Sequence, residues 1–262
     1  MKIAFLHMTM GLINRGSEVT TDLLAASLSQ SHEVLVIQSG IINKNKPYQQ
    51  VRIYPLSTPP PIEPKNIFDK LLFKLFLDAS SRHSHNFTLA ALPRLRRFNP
   101  DIVFATNGGG QVKLLKNALP QAKVVVIGHA GIGHDDLYNL RSRPDLFLAV
   151  SEQARKWASS HSAKTTQVSL LVNPLNSKLY AKKILPKVNL PHPTILVVGQ
   201  LTAYKNIPQV VRAVRKLGYS LLLIGDGEQA DIIAQELTAF TNDFHWIKSV
   251  EPVALPSFYQ SA

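Results

Sequence analysis

Apolar and polar positions alternate along this chain on the scale of whole elements. The runs KIAFLHM (Lys2 to Met8), EVLVIQ (Glu33 to Gln38), DIVFAT (Asp101 to Thr106), KVVVIGH (Lys123 to His129), LFLAV (Leu146 to Val150) and QVSLLV (Gln167 to Val172) are apolar throughout rather than at every second residue. Such runs predict strands buried on both faces, as in a parallel sheet covered by helices. VRIY (Val51 to Tyr54) predicts a further short strand, and a helical period runs from Ser17 to Gln30. Ser17 is the expected N-cap of that helix, because its hydroxyl can accept from a free backbone N–H of the first turn. Strand and helix in alternation predict a doubly wound α/β domain.

The rhythm breaks at NPLNSKLYAKKILPKVNLPHP, Asn173 to Pro193, which carries four prolines and no period. A domain boundary is expected there. The expected organisation is a first domain over 1–172, a linker over 173–193, and a second series over 194–262. That second series reads TILVVG (Thr194 to Gly199), a helix IPQVVRAVRKLG ending at Gly218, SLLLIG (Ser220 to Gly225), a helix EQADIIAQELTAF, FHWI (Phe244 to Ile247), and the start of a helix in PVALPSFYQSA. Three strands make a small open sheet with an exposed edge. The expectation is an incomplete second domain, either leaning on the first or cut short. STPPPIEP (Ser57 to Pro64) reads as a Pro-rich loop.

Composition narrows the class. The chain has 262 residues, 45% of them hydrophobic, and no cysteine. A disulfide framework and a thiolate metal site are therefore excluded. The N-terminal apolar run is too short for a signal-peptide core, and no window approaches the ~18 apolar residues of a membrane span. The expected location is cytoplasmic. The formal charge of +12 is unevenly spread: residues 1–187 hold 24 Lys and Arg against 11 Asp and Glu, and residues 188–262 hold 5 against 6. The first part should face an anionic partner: nucleic acid, an anionic lipid surface or a phosphorylated substrate.

Ligands of open α/β sheets bind beyond the carboxyl ends of the strands, so the residues after each strand are the candidates. Gly11, Gly16 and Glu18 follow the first. This loop either makes a simple strand-to-helix turn or holds a phosphate on free N–H groups, although it lacks the G-x-G-x-x-G spacing. His129 ends a buried strand in a loop with Gly128, Gly131 and Gly133. His134, Asp135 and Asp136 do not follow a recognised metal-ligand spacing. Ser151 and Glu152 have structural reasons to open a helix, and Asp226 between Gly225 and Gly227 reads first as a turn residue. Basic residues run through 65–97, and NIFDKLLFKLFLDA places apolar residues at helical spacing with Lys70 and Lys74 four apart. This reads first as a core-facing helix with a solvated side. The other reading is a basic amphipathic surface for anionic lipid.

Together these landmarks resemble the family 4 glycosyltransferases, a retaining group with the two-domain GT-B fold. ILVVGQLTAYKNIPQVVRAV is similar to the family's strand, glycine, R-L-x-x-x-K-N/G and helix; LLLIGDGEQADIIAQ to the next strand and its glycine loop; VEPVALPSFYQSA to the segment after it. In the first domain, GSEVTTDLLAASLSQSHEVLVI, FLAVSEQARKW and VSLLVNPLNSKLY are similar to the Gly-rich loop, the S-E helix start and the domain exit, with Pro174 where glycine is usual.

The resemblance implies two Rossmann-like domains, the second incomplete, and transfer of a sugar from a nucleotide donor such as a UDP- or GDP-sugar to an acceptor on the first domain. It also implies retention of configuration, no metal cofactor, and a role in envelope polysaccharide synthesis. Lys205 would contact the donor diphosphate, beside Gly199, Gln200 and Asn206. Gly11 and Gly16 would bracket a second approach to that diphosphate. Asp226, Gly227 and Glu228 would lie near the nucleoside, and His129 near the transferred sugar. Two departures are plain. Gln200 stands where the family has Arg, so a charge that could grip phosphate is missing. The family's Glu-x7-Glu segment and closing helix lie beyond residue 262, which implies a chain cut short and a weak or inactive catalyst. The alternative is a non-catalytic module whose basic first domain holds an anionic lipid or polymer. Nucleic acid is not an expected partner, whereas the inner face of a cell membrane is a candidate one.

Overall fold

The computed structural model describes every residue except 14, 54–65, 107, 130, 182–187, 192 and 261, and omits the side chain of Ser80. The Pro-rich loop 57–64, Lys65, the end of the VRIY run and parts of the segment 173–193 fall outside the described residues. The chain divides into two compact units, Met1–Leu175 and Asn176–Ala262.

The first unit holds seven strands: β1 (Lys2–His7), β2 (Glu33–Gln38), β3 (Gln49–Arg52), β4 (Ile102–Ala105), β5 (Lys123–Gly128), β6 (Leu146–Ala149) and β7 (Gln167–Leu170). Their order is β3-β2-β1-β4-β5-β6-β7, and every neighbouring pair is parallel. The helices are α1 (Gly16–Leu28), α2 (Ile67–Lys74), α3 (Ala79–Phe98), α4 (Gly109–Ala118), α5 (His134–Arg141) and α6 (Glu152–His161). Alternate residues of each strand feed two cores. Ala4, Leu6, Leu35, Ile37, Val103 and Val124 pack with Phe87, Leu95, Leu115 and Leu140 of α3, α4 and α5. Ile3, Phe5, Val34, Val36, Val125 and Ile127 pack on the other face with Ala25 and Leu28 of α1. Both faces are covered, which is why the strands read as continuous apolar runs. The strand order reverses between β1 and β4, and a sheet of this kind opens its binding crevice beyond the carboxyl ends of those two strands.

The second unit holds α7 (Ser177–Ala181), β8 (Thr194–Val198), α8 (Ile207–Leu217), β9 (Ser220–Ile224), α9 (Ala230–Thr238), β10 (Phe244–Ile247) and α10 (Leu255–Tyr259). Its parallel sheet has the order β10-β9-β8. Ile207, Val211 and Val214 of α8 and Ile233 and Leu237 of α9 cover one face. Phe258 of α10, with Leu190 and Leu255, packs on Leu222 and Ile224 at the other. Gly218 closes α8 in the left-handed conformation that glycine tolerates best.

Three expectations change. Arg15, not Ser17, is the N-cap of α1, and the carboxylate of Glu18 accepts from the Arg15 N–H at 3.2 Å. A Glu at the third helical position reaches back to the cap more readily than Ser17 can from inside the turn. Helix α9 starts at Ala230 rather than at Glu228, because Glu228 is used in the preceding turn. The core-facing reading of α2 is overturned: this helix has no buried residue, and Ile67, Phe68, Leu71 and the following Leu75 are 86%, 65%, 51% and 55% exposed.

Candidate functional site

At the carboxyl end of the second unit's sheet two turns interlock. After β8 the chain runs through Gly199 and Gln200 to a buried Leu201, then a single 3-10 turn, Ala203–Lys205. After β9 it runs through Gly225, Asp226, Gly227 and Glu228. Leu201 N donates to the Asp226 carbonyl and Gln229 N to the Leu201 carbonyl, each at 3.0 Å. Glu228 Oε1 accepts from Ala203 N at 2.9 Å, and Asp226 Oδ1 accepts from Gly227 N at 2.9 Å. Both acidic side chains therefore have turn-building work.

The glycines here have different tasks. A Cβ on Gly225 would stand 1.9 Å from the Gly199 carbonyl oxygen, and one on Gly227 would stand 2.6 Å from that of Leu201. Backbone meets backbone at these two positions. A Cβ on Gly199 would meet nothing within 4 Å, so that side of the loop has room for a ligand. Gln200 and Lys205 are exposed. Lys205 forms no ion pair with a described carboxylate, and its ammonium lies 5.4 Å from the Tyr204 ring centroid. Asn206 takes left-handed angles (φ 54°, ψ 33°) to enter α8, a conformation that Asn adopts more readily than most residues, and its amide donates to Gln209 Oε1 at 2.7 Å. The result is an exposed cation, without an ion-pair partner among the described residues, on a loop that is knitted to its neighbour at a strand's carboxyl end.

In the first unit the crevice residues are His7 at the end of β1, Thr9 and Glu18 beyond it, and His129 after β5. Sequence reasoning singled out His129 and passed over His7, although both end a buried apolar run and that shared position was the available signal. Glu18, 3% exposed, accepts from Thr9 Oγ1 at 2.5 Å and from Ser17 Oγ at 2.8 Å, with Arg15 Nη2 at 3.7 Å. Burial opposes its charge, but hydrogen bonds from Thr9 and Ser17 and the nearby His7 outweigh that and hold its pKa below the usual carboxylate value. His7 is 2% exposed, and burial brings its pKa down to about 4 against the pull of Glu18. Burial also lowers His129. Both imidazoles are thus neutral at pH 7, and the Nε2 of each is buried without a hydrogen-bond partner among the described residues. Gly11 serves a close backbone contact: a Cβ there would stand 2.7 Å from the Ile41 carbonyl oxygen. The equivalent space at Gly16 is open.

His129 lines a cavity of about 290 Å³ with Met8, Thr106, Asp136, Phe73 and Phe76. Beside it lies a cavity of about 520 Å³ that includes Leu75, Leu77, Arg82, Lys113 and Tyr138. Phe73 and Phe76 pin α2 to α5: Phe76 stacks on Tyr138 at 3.5 Å and on His134 at 4.8 Å, and Phe73 lies 5.5 Å from His134. His134 is committed to this stack, and among the described residues no group of three or more His, Cys, Asp or Glu is placed to hold a metal ion. Ser151 caps α6, accepting from Ala154 N at 3.1 Å.

No protein-family model matches the chain, and no curated protein matches it in sequence. Solved structures do match in shape. Alr3699/HepE of Anabaena in complex with UDP-glucose superposes with a TM-score of 0.67 at 15% identity, covering 100% of this chain and 72% of that one. AviGT4, a glycosyltransferase involved in avilamycin A biosynthesis, gives 0.61 at 14% identity, covering 100% and 67%. A putative UDP-N-acetylglucosamine 2-epimerase from Listeria monocytogenes gives 0.57 at 13% identity, covering 100% and 72%. These likenesses establish the fold: an α/β chain of the GT-B type, with two Rossmann-like parallel sheets.

Proposed function

We propose that the chain is a glycosyltransferase that takes its donor as a nucleotide-diphosphate sugar. The single observation that carries this is Lys205, an unneutralised cation at the carboxyl end of β8, in a fold shared with HepE, whose solved structure contains UDP-glucose. A diphosphate leaving group develops charge as the glycosidic bond breaks, and a fixed ammonium in a preorganised loop stabilises it. Gly199 leaves the space through which the phosphates approach, and Asp226, Gly227 and Glu228 shape the loop beside the nucleoside. His129, with its Nε2 unpartnered among the described residues at the cavity wall, is assigned to the hydroxyls of the transferred sugar. The family 4 assignment, retention of configuration and independence from metal belong to the same proposal, supported by the sequence landmarks.

Lys205→Ala should weaken UDP binding by ~1.5–3 kcal/mol, about ten- to a hundredfold, as expected for loss of a charge-assisted contact. Isothermal titration of UDP in EDTA checks both this and the metal independence; equal affinity in the variant and the parent would remove Lys205 from the site. Gln200→Arg, which adds a bidentate phosphate donor at the loop, should tighten UDP binding in the same assay.

The second reading, a binding module without catalysis, draws on the exposed apolar stripe of α2 beside Lys70 and Lys74. It predicts adsorption to an anionic membrane surface with no affinity for any nucleotide sugar. Titration with UDP-glucose and GDP-mannose separates the two readings.

A further inference from the structure

We propose that the cavity of about 520 Å³ between the turn that follows α2 and helices α3 and α4 binds a membrane lipid with an anionic, phosphate-bearing head group, and that this lipid class is the acceptor. The acceptor role rests on the transferase reading above; the binding site does not.

Three independent features of the first unit converge on this ligand. The first is the orientation of α2. Phe73 and Phe76 bind it to α5, leaving Ile67, Phe68, Leu71 and Leu75 as a stripe on the outer side, more than half exposed throughout. An apolar stripe of this density on a soluble surface marks an interaction site. Lys70 and Lys74 flank it, as on helices that lie in an anionic lipid interface.

The second feature is the charge inside the cavity. Arg82 and Lys113 line it, neither pairs with a described carboxylate, and none of its described lining residues is acidic. Leu75 and Leu77 of the same cavity are exposed, so the apolar stripe runs to its mouth. A ligand that satisfies both parts must carry an anionic head joined to an apolar tail, which a phospholipid does and a glycan or nucleic acid does not.

The third is the strain at Phe76. Helix α2 ends in a Schellman turn, with Leu77 N on the Leu72 carbonyl and Phe76 N on that of Phe73, and Phe76 sits at φ 55°, where glycine is the usual residue. A bulky residue is held in that conformation only when its surroundings over-determine it. Phe76 stacks on Tyr138 and forms a wall of both cavities. The cavities also share Ser81, Ser84 and Gly108, so a head group bound between Arg82 and Lys113 would lie next to the chamber that contains His129.

The test uses the full chain with vesicles of phosphatidylcholine, with and without phosphatidylglycerol, and with monomeric dihexanoyl phosphatidylglycerol. The expected result is co-sedimentation with the anionic vesicles only. Arg82→Ala and Lys113→Ala should each weaken binding of the short-chain lipid by about tenfold, the scale of one charge-assisted contact. Leu71→Gln, at an exposed position that leaves the core intact, should weaken vesicle binding while sparing the short-chain lipid. Equal binding to neutral vesicles, inorganic phosphate binding as tightly as the short-chain lipid, or unchanged affinity in both cavity variants would overturn the site. UDP titration of the same samples keeps the two proposals apart. Lost lipid binding with intact UDP binding would remove only the lipid site, and the reverse would remove its role as acceptor.

Discussion

Acidification from pH 7 to pH 5 should cost the first unit about 2 kcal/mol of stability, rising to about 3 kcal/mol near pH 4. The source is His7. Unfolded, its imidazole takes a proton near pH 6.5; folded, burial, against the pull of Glu18 and with the help of His129 and Arg15, keeps it neutral down to about 4. Between those values the unfolded chain binds more protons than the native one, so stability is fully present above pH 6.5 and is lost as the pH falls toward 4. His129 is lowered by burial and Glu18 is held low by its hydrogen bonds, so both add in the same direction below their own unfolded values. Urea unfolding in a Trp246→Phe background reads the first unit alone, because its remaining tryptophan is Trp157. The midpoint should fall steadily below pH 6.5, and His7→Gln should flatten the slope. Equal midpoints at pH 7 and pH 5 in the parent would show that His7 is not held neutral. An uncharged His129 can accept as well as donate, which in the transferase proposed above would suit a sugar hydroxyl better than an imidazolium does.

Gly225→Ala should cost the second unit on the order of 3 kcal/mol or more and abolish UDP binding. The added Cβ would fall 1.9 Å from the Gly199 carbonyl oxygen and 3.0 Å from its carbon, and the residue already sits at φ 153°. Both clashing atoms are main chain, so no rotamer change relieves them. Separating the loops would strain the bonds from Gly199 N to the Ile224 carbonyl, from Leu201 N to the Asp226 carbonyl, and from Trp246 Nε1 to the Gly225 carbonyl. Those bonds hold the loop that presents Lys205. Thermal unfolding followed through Trp246, in a Trp157→Phe background, is the measurement. Gly16→Ala is the contrast: its Cβ meets nothing within 4 Å, and stability should change by less than about 1 kcal/mol. A parent-like midpoint for Gly225→Ala would mean that the two loops are not packed as described.

The strands were legible in the chain to within one or two residues, because a strand buried on both faces writes an unbroken apolar run. β3 was the least legible. It starts at Gln49, two residues before the apolar signal, since its register is set by pairing with β2 from Leu35 onward. The site was legible in part. Lys205 and Gly199 stood out because a cation after a buried strand and a glycine is locally unusual. His7, Arg82, Lys113 and Phe76 did not, because their significance lies in what surrounds them. His7 sits at the end of an ordinary apolar run, Arg82 is one of many cations in the basic stretch 65–97, and Lys113 lies on a helix with nothing local to mark it.

The chain by itself determined its elements, the parallel character of both sheets and the loop that carries Lys205, since each follows from nearest-neighbour patterns of apolar, turn and charged residues. Tertiary packing decided the rest. It chose which glycines serve close backbone contact (Gly11, Gly225, Gly227) and which leave open space (Gly16, Gly199), a distinction set by residues up to 30 positions away. It turned α2 outward, because a helical stripe states that one side is apolar without stating what that side meets. It brought His7, Glu18 and His129 close enough to set one another's charge, which no spacing along the chain expresses.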